Sequence, residues 1–187
     1  IPPSPIVSCL GRLKNVNKAV PAHFQNNDSV ILLIGERKNE LGGSVYYSLK
    51  NELGANVPKP NFEEVKNQIF ALTDCIDSGL VLSCHDIADG GIASALAEMT
   101  FKNSIGCSVN IESDLSPDKI LFSETGGFIL EILPKNIDAI KSVFSNYGLD
   151  VFEIGSTGGE SIQINGIADI FVSETKKAWT NGLREKL

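Results

Sequence analysis

The short apolar run Leu80-Val81-Leu82-Ser83-Cys84 leads directly into His85-Asp86-Ile87-Ala88-Asp89-Gly90-Gly91, and then into an alanine-rich stretch from Ile92 to Phe101. A buried run, a pair of glycines and a segment of good helix formers specify strand, turn and helix in that order. The junction constrains the whole chain, because a buried strand needs a sheet and the helix that follows must cover one face of it.

The flanking patterns extend this unit. Residues 5–13 and 28–35 are apolar, β-branched runs bounded by turn formers and are expected to be strands, while the polar stretch 15–27, with Pro21, is expected to be a loop. Val45, Leu49 and Leu53 recur between Ser44, a capping residue, and Gly54, a helix terminator, so a helix is predicted over 44–53. A second helix is predicted after Pro60. Asn61 caps it, Glu63 and Glu64 occupy its first turn, Phe62, Val65, Ile69, Leu72 and Ile76 form its stripe, and Gly79 ends it.

Further along, 106–111 and 128–133 read as strands, separated by a short helix from Pro117 through Leu121 behind Ser116. Ile137, Ile140, Val143 and Phe144 give a helical face between Pro134 and Gly148. Strands follow at 151–154, 161–164 and 168–172, the last two joined by the turn signal Asn165-Gly166. Ser173 is placed as the cap of a final helix with Trp179 and Leu183 on one face.

Two successive helices, β-α-β units and a late hairpin argue for a layered α+β domain with a mixed sheet, not a regularly alternating doubly wound one. The boundary falls near Gly35, with 1–35 as trailing strands of a preceding domain and 36–187 as a complete domain. The chain opens on Ile1-Pro2-Pro3-Ser4-Pro5, without a basic start or an apolar stretch, and reads as cut from a longer one.

A net charge of −7 disfavours a nonspecific grip on nucleic-acid phosphates. The longest apolar run, Val30 to Ile34, falls far short of the roughly 20 residues a membrane-crossing helix needs. Cys9, Cys75, Cys84 and Cys107 match no paired zinc-ligand spacing, and Cys84 and Cys107 sit in strand-like runs as small hydrophobes, which fits a reducing cytoplasm.

Three segments could carry chemistry. At His85-Asp86 to Asp89-Gly90-Gly91, backbone amides opening a helix suit a phosphate, whereas the alternative is that Asp89 caps the helix and the glycines relieve crowding. Gly42, Gly43 and Ser44 offer a second glycine-bearing loop, where the hydroxyl either caps the helix or meets an anion, with capping favoured. Ser123-Glu124 follows the short helix, and Glu124 is either a ligand for a ribose hydroxyl or magnesium, or a solvated turn carboxylate. His85 and Asp86 point to opposite faces of a strand, so His85 is read as a hydrogen-bonded strand-end residue and not as half of a dyad. No catalytic cysteine and no metal ligand set is assigned.

Taken in order, Ile1-Pro2-Pro3-Ser4-Pro5-Ile6-Val7, Leu41-Gly42-Gly43-Ser44-Val45-Tyr46, the stretch His85 to Met99 and Leu121-Phe122-Ser123-Glu124 resemble the C-terminal part of the synthetase subunit of phosphoribosylformylglycinamidine synthases. These belong to a superfamily with aminoimidazole ribonucleotide synthetase. The resemblance implies a C-terminal α/β domain, partly ferredoxin-like, following the end of a barrel-forming domain. It implies a cytoplasmic ligase of purine biosynthesis that uses ATP, Mg²⁺ and glutamine-derived ammonia, with a glutaminase subunit and a small bridging subunit as partners and further domains upstream.

No catalytic residue carries over. What does map is the second copy's glycine loop, with His85, Asp86, Asp89, Gly90 and Gly91, and the Ser123-Glu124 turn; together with Gly42, Gly43 and Ser44 these are the candidates for binding a nucleotide or phosphate. Gly127 stands where the family pattern leads one to expect arginine, and Ala88 where serine is usual, so a noncatalytic nucleotide- or phosphate-binding half is the alternative reading. A relative of selenophosphate synthetase or of a kinase in the same superfamily is a further one.

Overall fold

The structure, a computed structural model, describes residues 7–164 and 166–182. Seven strands form one open mixed sheet: β1 (Val30–Ile34), β2 (Val81–Asp86), β3 (Cys107–Val109), β4 (Phe128–Ile132), β5 (Val151–Thr157), β6 (Ser161–Ile164) and β7 (Ala168–Phe171). Their order is β2-β4-β1-β5-β3-β6-β7. All neighbours pair antiparallel except β3 and β6. The helices are α1 (Val45–Leu49), α2 (Phe62–Asp77), α3 (Gly91–Thr100), α4 (Pro117–Phe122), α5 (Ile137–Asn146) and α6 (Val172–Asn181).

Every residue of β1 is buried because both of its faces are covered, which is why it reads as an unbroken apolar run. Val30, Leu32 and Ile34 join Leu72 and Cys75 of α2 and Ile140 and Phe144 of α5 in one cluster. Ile31 and Leu33 join Leu96 and Met99 of α3, Ile120 of α4 and Val172 of α6 on the other face. The far half of the sheet is covered on one side only. Ile154, Ile162 and Val109 point into the second cluster, while Ser108, Ser156 and Gln163 alternate with them and stay exposed.

Several expectations are corrected. Residues 28–35, assigned to a preceding domain, contain β1, which is hydrogen-bonded on both sides in the middle of this sheet. Residues 7–13 form no strand; Val7 and Leu10 are exposed and meet no neighbouring strand, while 5 and 6 lie outside the described residues. The polar stretch 15–27 is irregular apart from one 3-10 turn, yet its Phe24 is wholly buried. The helix expected over 44–53 ends at Leu49, and its stripe of Val45, Leu49 and Leu53 faces solvent. On α2, Phe62, Val65 and Ile69 are likewise exposed, and Leu72 with Ala71 and Cys75 makes the buried face. Phe171, not Ser173, precedes α6; Trp179 is mostly exposed against Phe101, and Leu183 and Asn165 lie outside the described residues.

β1 and β2 flank β4 and run antiparallel to it. Ile34 and Asp86, at the ends of β1 and β2, therefore both stand opposite Phe128, at the start of β4. The loops leaving β1 and β2 and the turn entering β4 meet at this single edge of the sheet, and those loops carry the residues singled out from the sequence.

Candidate anion cradle at the sheet edge

The three segments converge as the sequence order requires. Glu124, in the turn between α4 and β4, places one carboxylate oxygen, Oε1, 2.9 Å from the amide of Gly90 and 2.8 Å from that of Val45. These are charge-assisted bonds to the starts of α3 and α1, where backbone donors have no partner inside the helix. The donors expected to greet a phosphate thus donate to the protein's own carboxylate.

The glycines are explained by crowding within the chain. Gly91 has φ +67, and a Cβ there would lie 2.6 Å from the carbonyl oxygen of Leu121, so its missing side chain lets α3 begin against the backbone of α4. A Cβ on Gly42 would meet the backbone of Asn56 at 2.7 Å. Gly42 donates its amide to Asn56 O and Gly43 to Leu53 O, so this loop folds back on the residues after α1. Gly90, in left-handed backbone, precedes α3 without any side-chain cap, so Asp89, expected as the cap, does not serve as one; it is exposed on the rim.

The hydroxyls are also engaged. Ser44 is buried and accepts from the amide of Tyr47 at 3.2 Å, which makes it the cap of α1. Ser123, with no exposed surface, donates to Lys38 O at 2.6 Å and accepts from the amide of Glu40. His85 contacts the carbonyl oxygen of its neighbour Asp86 through Nδ1 at 2.7 Å and Glu98 of α3 through Nε2 at 3.2 Å. Asp86 Oδ1 lies 3.5 Å from the same Nδ1, although most of the carboxylate faces solvent.

Sequence reasoning missed Arg37, Glu40 and Thr125. Thr125 donates to Glu40 Oε2 at 2.8 Å, and Glu40 Oε1 accepts from the amide of Lys59. Arg37, only 7% exposed, donates to Gly126 O at 2.8 Å, and burial lowers its guanidinium to about 10 with Glu40 opposing the shift. Arg37 and Glu40 lie in the charged run Glu36-Arg37-Lys38-Asn39-Glu40, which carries no periodicity to separate a buried cation from a solvated loop. A cavity of about 210 Å³ opens beside this turn, lined by Glu40, Glu124, Thr125 and Gly126 together with Pro58 and Lys59.

These loops converge at one end of β2, β4 and β1, in the half of the mixed sheet that is covered on both faces. The chain belongs to the family of AIR synthase related proteins, C-terminal domain, which matches residues 26–165. Within that class it is similar to phosphoribosylformylglycinamidine synthase subunit PurL. It shares 32% identity with the protein of Methanothrix thermoacetophila over 100% of this chain and 25% of that one, and 34% with that of Thermoplasma volcanium over 98% and 24%. The chain therefore spans about a quarter of the length of these curated relatives.

Among solved structures it resembles T. maritima PurL complexed with FGAR, with a TM-score of 0.74 at 18% identity over 86% of this chain and 30% of that one. The same protein complexed with ATP gives 0.68 at 19% identity, and PurLQS from Thermotoga maritima gives 0.70 at 20%, each over 86% of this chain and 28% of theirs. At such identities the likeness establishes the fold. No helix among the described residues is long and apolar enough to cross a membrane.

Proposed function

We propose that this chain is the C-terminal α/β domain of the synthetase subunit of a phosphoribosylformylglycinamidine synthase, and that it is the noncatalytic half of that subunit. The parent converts formylglycinamide ribonucleotide, ATP and glutamine-derived ammonia to the amidine, ADP and phosphate in the cytoplasm. ATP with Mg²⁺ activates the formyl amide oxygen and ammonia displaces phosphate. This chain's residues contribute packing and no catalytic group. A barrel-forming domain precedes this one in the parent, and a glutaminase subunit and a small bridging subunit are the partners.

The observation that carries the noncatalytic assignment is Glu124 Oε1 between the amides of Gly90 and Val45. A phosphate at Gly90 would have to displace a carboxylate that already makes two charge-assisted bonds, and it would meet that negative charge nearby. Gly42, Gly43, Ser44, His85, Asp86, Asp89, Gly90, Gly91 and Ser123 then act as the frame of an internally filled cradle. Titrating the 187-residue chain with Mg-ATP by calorimetry is expected to give no saturable heat, and saturable binding lost on Gly90→Ala overturns the closed-cradle reading. Assaying the full parent for ATP- and ammonia-dependent amidine formation tests the enzyme assignment, and absence of turnover removes it.

A further inference from the structure

Arg37 is the buried charge that the cradle's own bonds leave unexplained. It is 7% exposed, and among the described residues no carboxylate forms an ion pair with it. Its Nε has no hydrogen-bond partner. Placing a guanidinium out of water without a paired counter-ion is costly, and Glu40 offsets that cost only in part, so its hydrogen bonds must account for its position. Those contacts are both carbonyl oxygens of one turn: Gly126 O at 2.8 Å from Nη2, and Ser123 O at 3.5 Å from Nη1.

The two carbonyls bracket Glu124. With them turned toward Arg37, the turn is held at both ends while the carboxylate between them reaches the starts of α3 and α1. Gly127 completes the fit, since a Cβ there would lie 2.3 Å from Ile34 O and 3.4 Å from Nη2 of Arg37. It is the Ile34 carbonyl that bars a side chain at Gly127, and the guanidinium delivered from the loop after β1 lies in contact distance beside it. Ser123 and Thr125 tie the same turn to Lys38 and Glu40, so the segment that follows Arg37 is fixed to it as well.

We infer that Arg37 is the positioning residue of the cradle: by gripping the carbonyls of Ser123 and Gly126 it sets Glu124 across the amides of Gly90 and Val45. This inference deepens the closed-cradle reading, but it concerns how Glu124 is held and not what the parent enzyme converts. A general packing role predicts that losing Arg37 weakens the whole domain evenly. A positioning role predicts a local effect at two amides that are not in contact with Arg37.

Amide hydrogen exchange on the ¹⁵N-labelled 187-residue chain separates the two. The variants are Arg37→Met, Arg37→Lys and, as a control in the opposite core, Phe144→Leu, each measured well below its melting midpoint. Exchange at Gly90 and Val45 is expected to rise about tenfold or more in Arg37→Met relative to Phe144→Leu, with Arg37→Lys partly restoring protection. Adding Glu124→Ala to Arg37→Met is expected to change these two amides no further than Glu124→Ala alone. Rates at Gly90 and Val45 that rise no more than in the control, or a uniform rise across the sheet, overturn the inference. If Arg37→Met does not fold, Arg37→Lys against the control decides it in the same way. Mg-ATP binding or a lack of turnover in the parent bears on the proposed function and leaves this readout untouched.

Discussion

Gly90, at the start of α3, donates its amide to Glu124, 34 residues later in the chain, at 2.9 Å. The same oxygen takes the amide of Val45, so one carboxylate joins two helix starts that are remote in sequence. Removing it in Glu124→Ala leaves both donors without their partner and is expected to lower stability by about 1–3 kcal/mol. Glu124→Gln, which keeps an acceptor oxygen but loses the charge, is expected to cost less. Urea unfolding of the three proteins orders them.

Gly91 is the less forgiving of the two glycines at this junction, because it faces backbone where Gly90 faces the rotatable hydroxyl of Ser94. Its left-handed backbone and the 2.6 Å approach of Leu121 O leave no room for a methyl group. Gly91→Ala is expected to cost more than about 1 kcal/mol, because strain from φ and displacement of α4 act together. A thermal melt that falls by only a degree or so would show that α4 yields freely.

Glu131 on β4 is fully buried and makes no salt bridge among the described residues, yet it accepts from the amides of Gln25 and Asn26 and from the hydroxyl of Ser83 at 2.7–2.9 Å. It pins the irregular segment around Phe24 to the sheet. Glu131→Ala strands three donors and is expected to cost about 2–5 kcal/mol, measured as a shift of the unfolding midpoint in urea. Ser83→Ala, which removes one donor and leaves the two amide bonds, is expected to cost a fraction of that.

The cysteines set an alkaline limit. Burial raises the thiols of Cys84 and Cys107 to about 12 and that of Cys75 to about 11, from an ordinary value of 9.0. A thiol whose folded value exceeds its unfolded one favours the fold in its neutral form, so its contribution is complete below pH 9 and declines as pH rises from there toward 12. Stability is expected to fall over that window. At neutral pH a thiol reagent is expected to modify the exposed Cys9 rapidly, the partly exposed Cys84 slowly, and the buried Cys75 and Cys107 only on unfolding.

Much of the architecture is visible in the residue pattern, and its failures have identifiable causes. The strands from Val81 onward, α2, α3 and the late hairpin follow from apolar runs bounded by glycine, proline and capping residues. α1 stops early because Gly43 bonds Leu53 O and a Cβ on Gly54 would strike the ring of Tyr47 at 2.5 Å, so the chain doubles back where its spacing alone continues the helix. Val45, Leu49 and Leu53 keep helical spacing without a partner surface among the described residues, and periodicity cannot report that.

For the cradle, the three segments were readable but their occupant was not. Glu124 looks from sequence like a ligand-binding or solvated carboxylate, and only the meeting of β1, β2 and β4 at one edge shows it filling the site itself. Arg37 was hidden because nothing in a run of charged residues marks the one that turns inward.

β1 stands in the middle of the sheet, while its neighbours begin only at Phe128 and Val151. A growing polypeptide made at roughly 5–20 residues per second carries this greasy segment, both edges open, for about 5–20 s before either mate exists. The span from synthesis of Ile34 to arrival of β4 and β5 is when a nascent chain is most prone to stick to another copy, and there a ribosome-associated chaperone has most to shield.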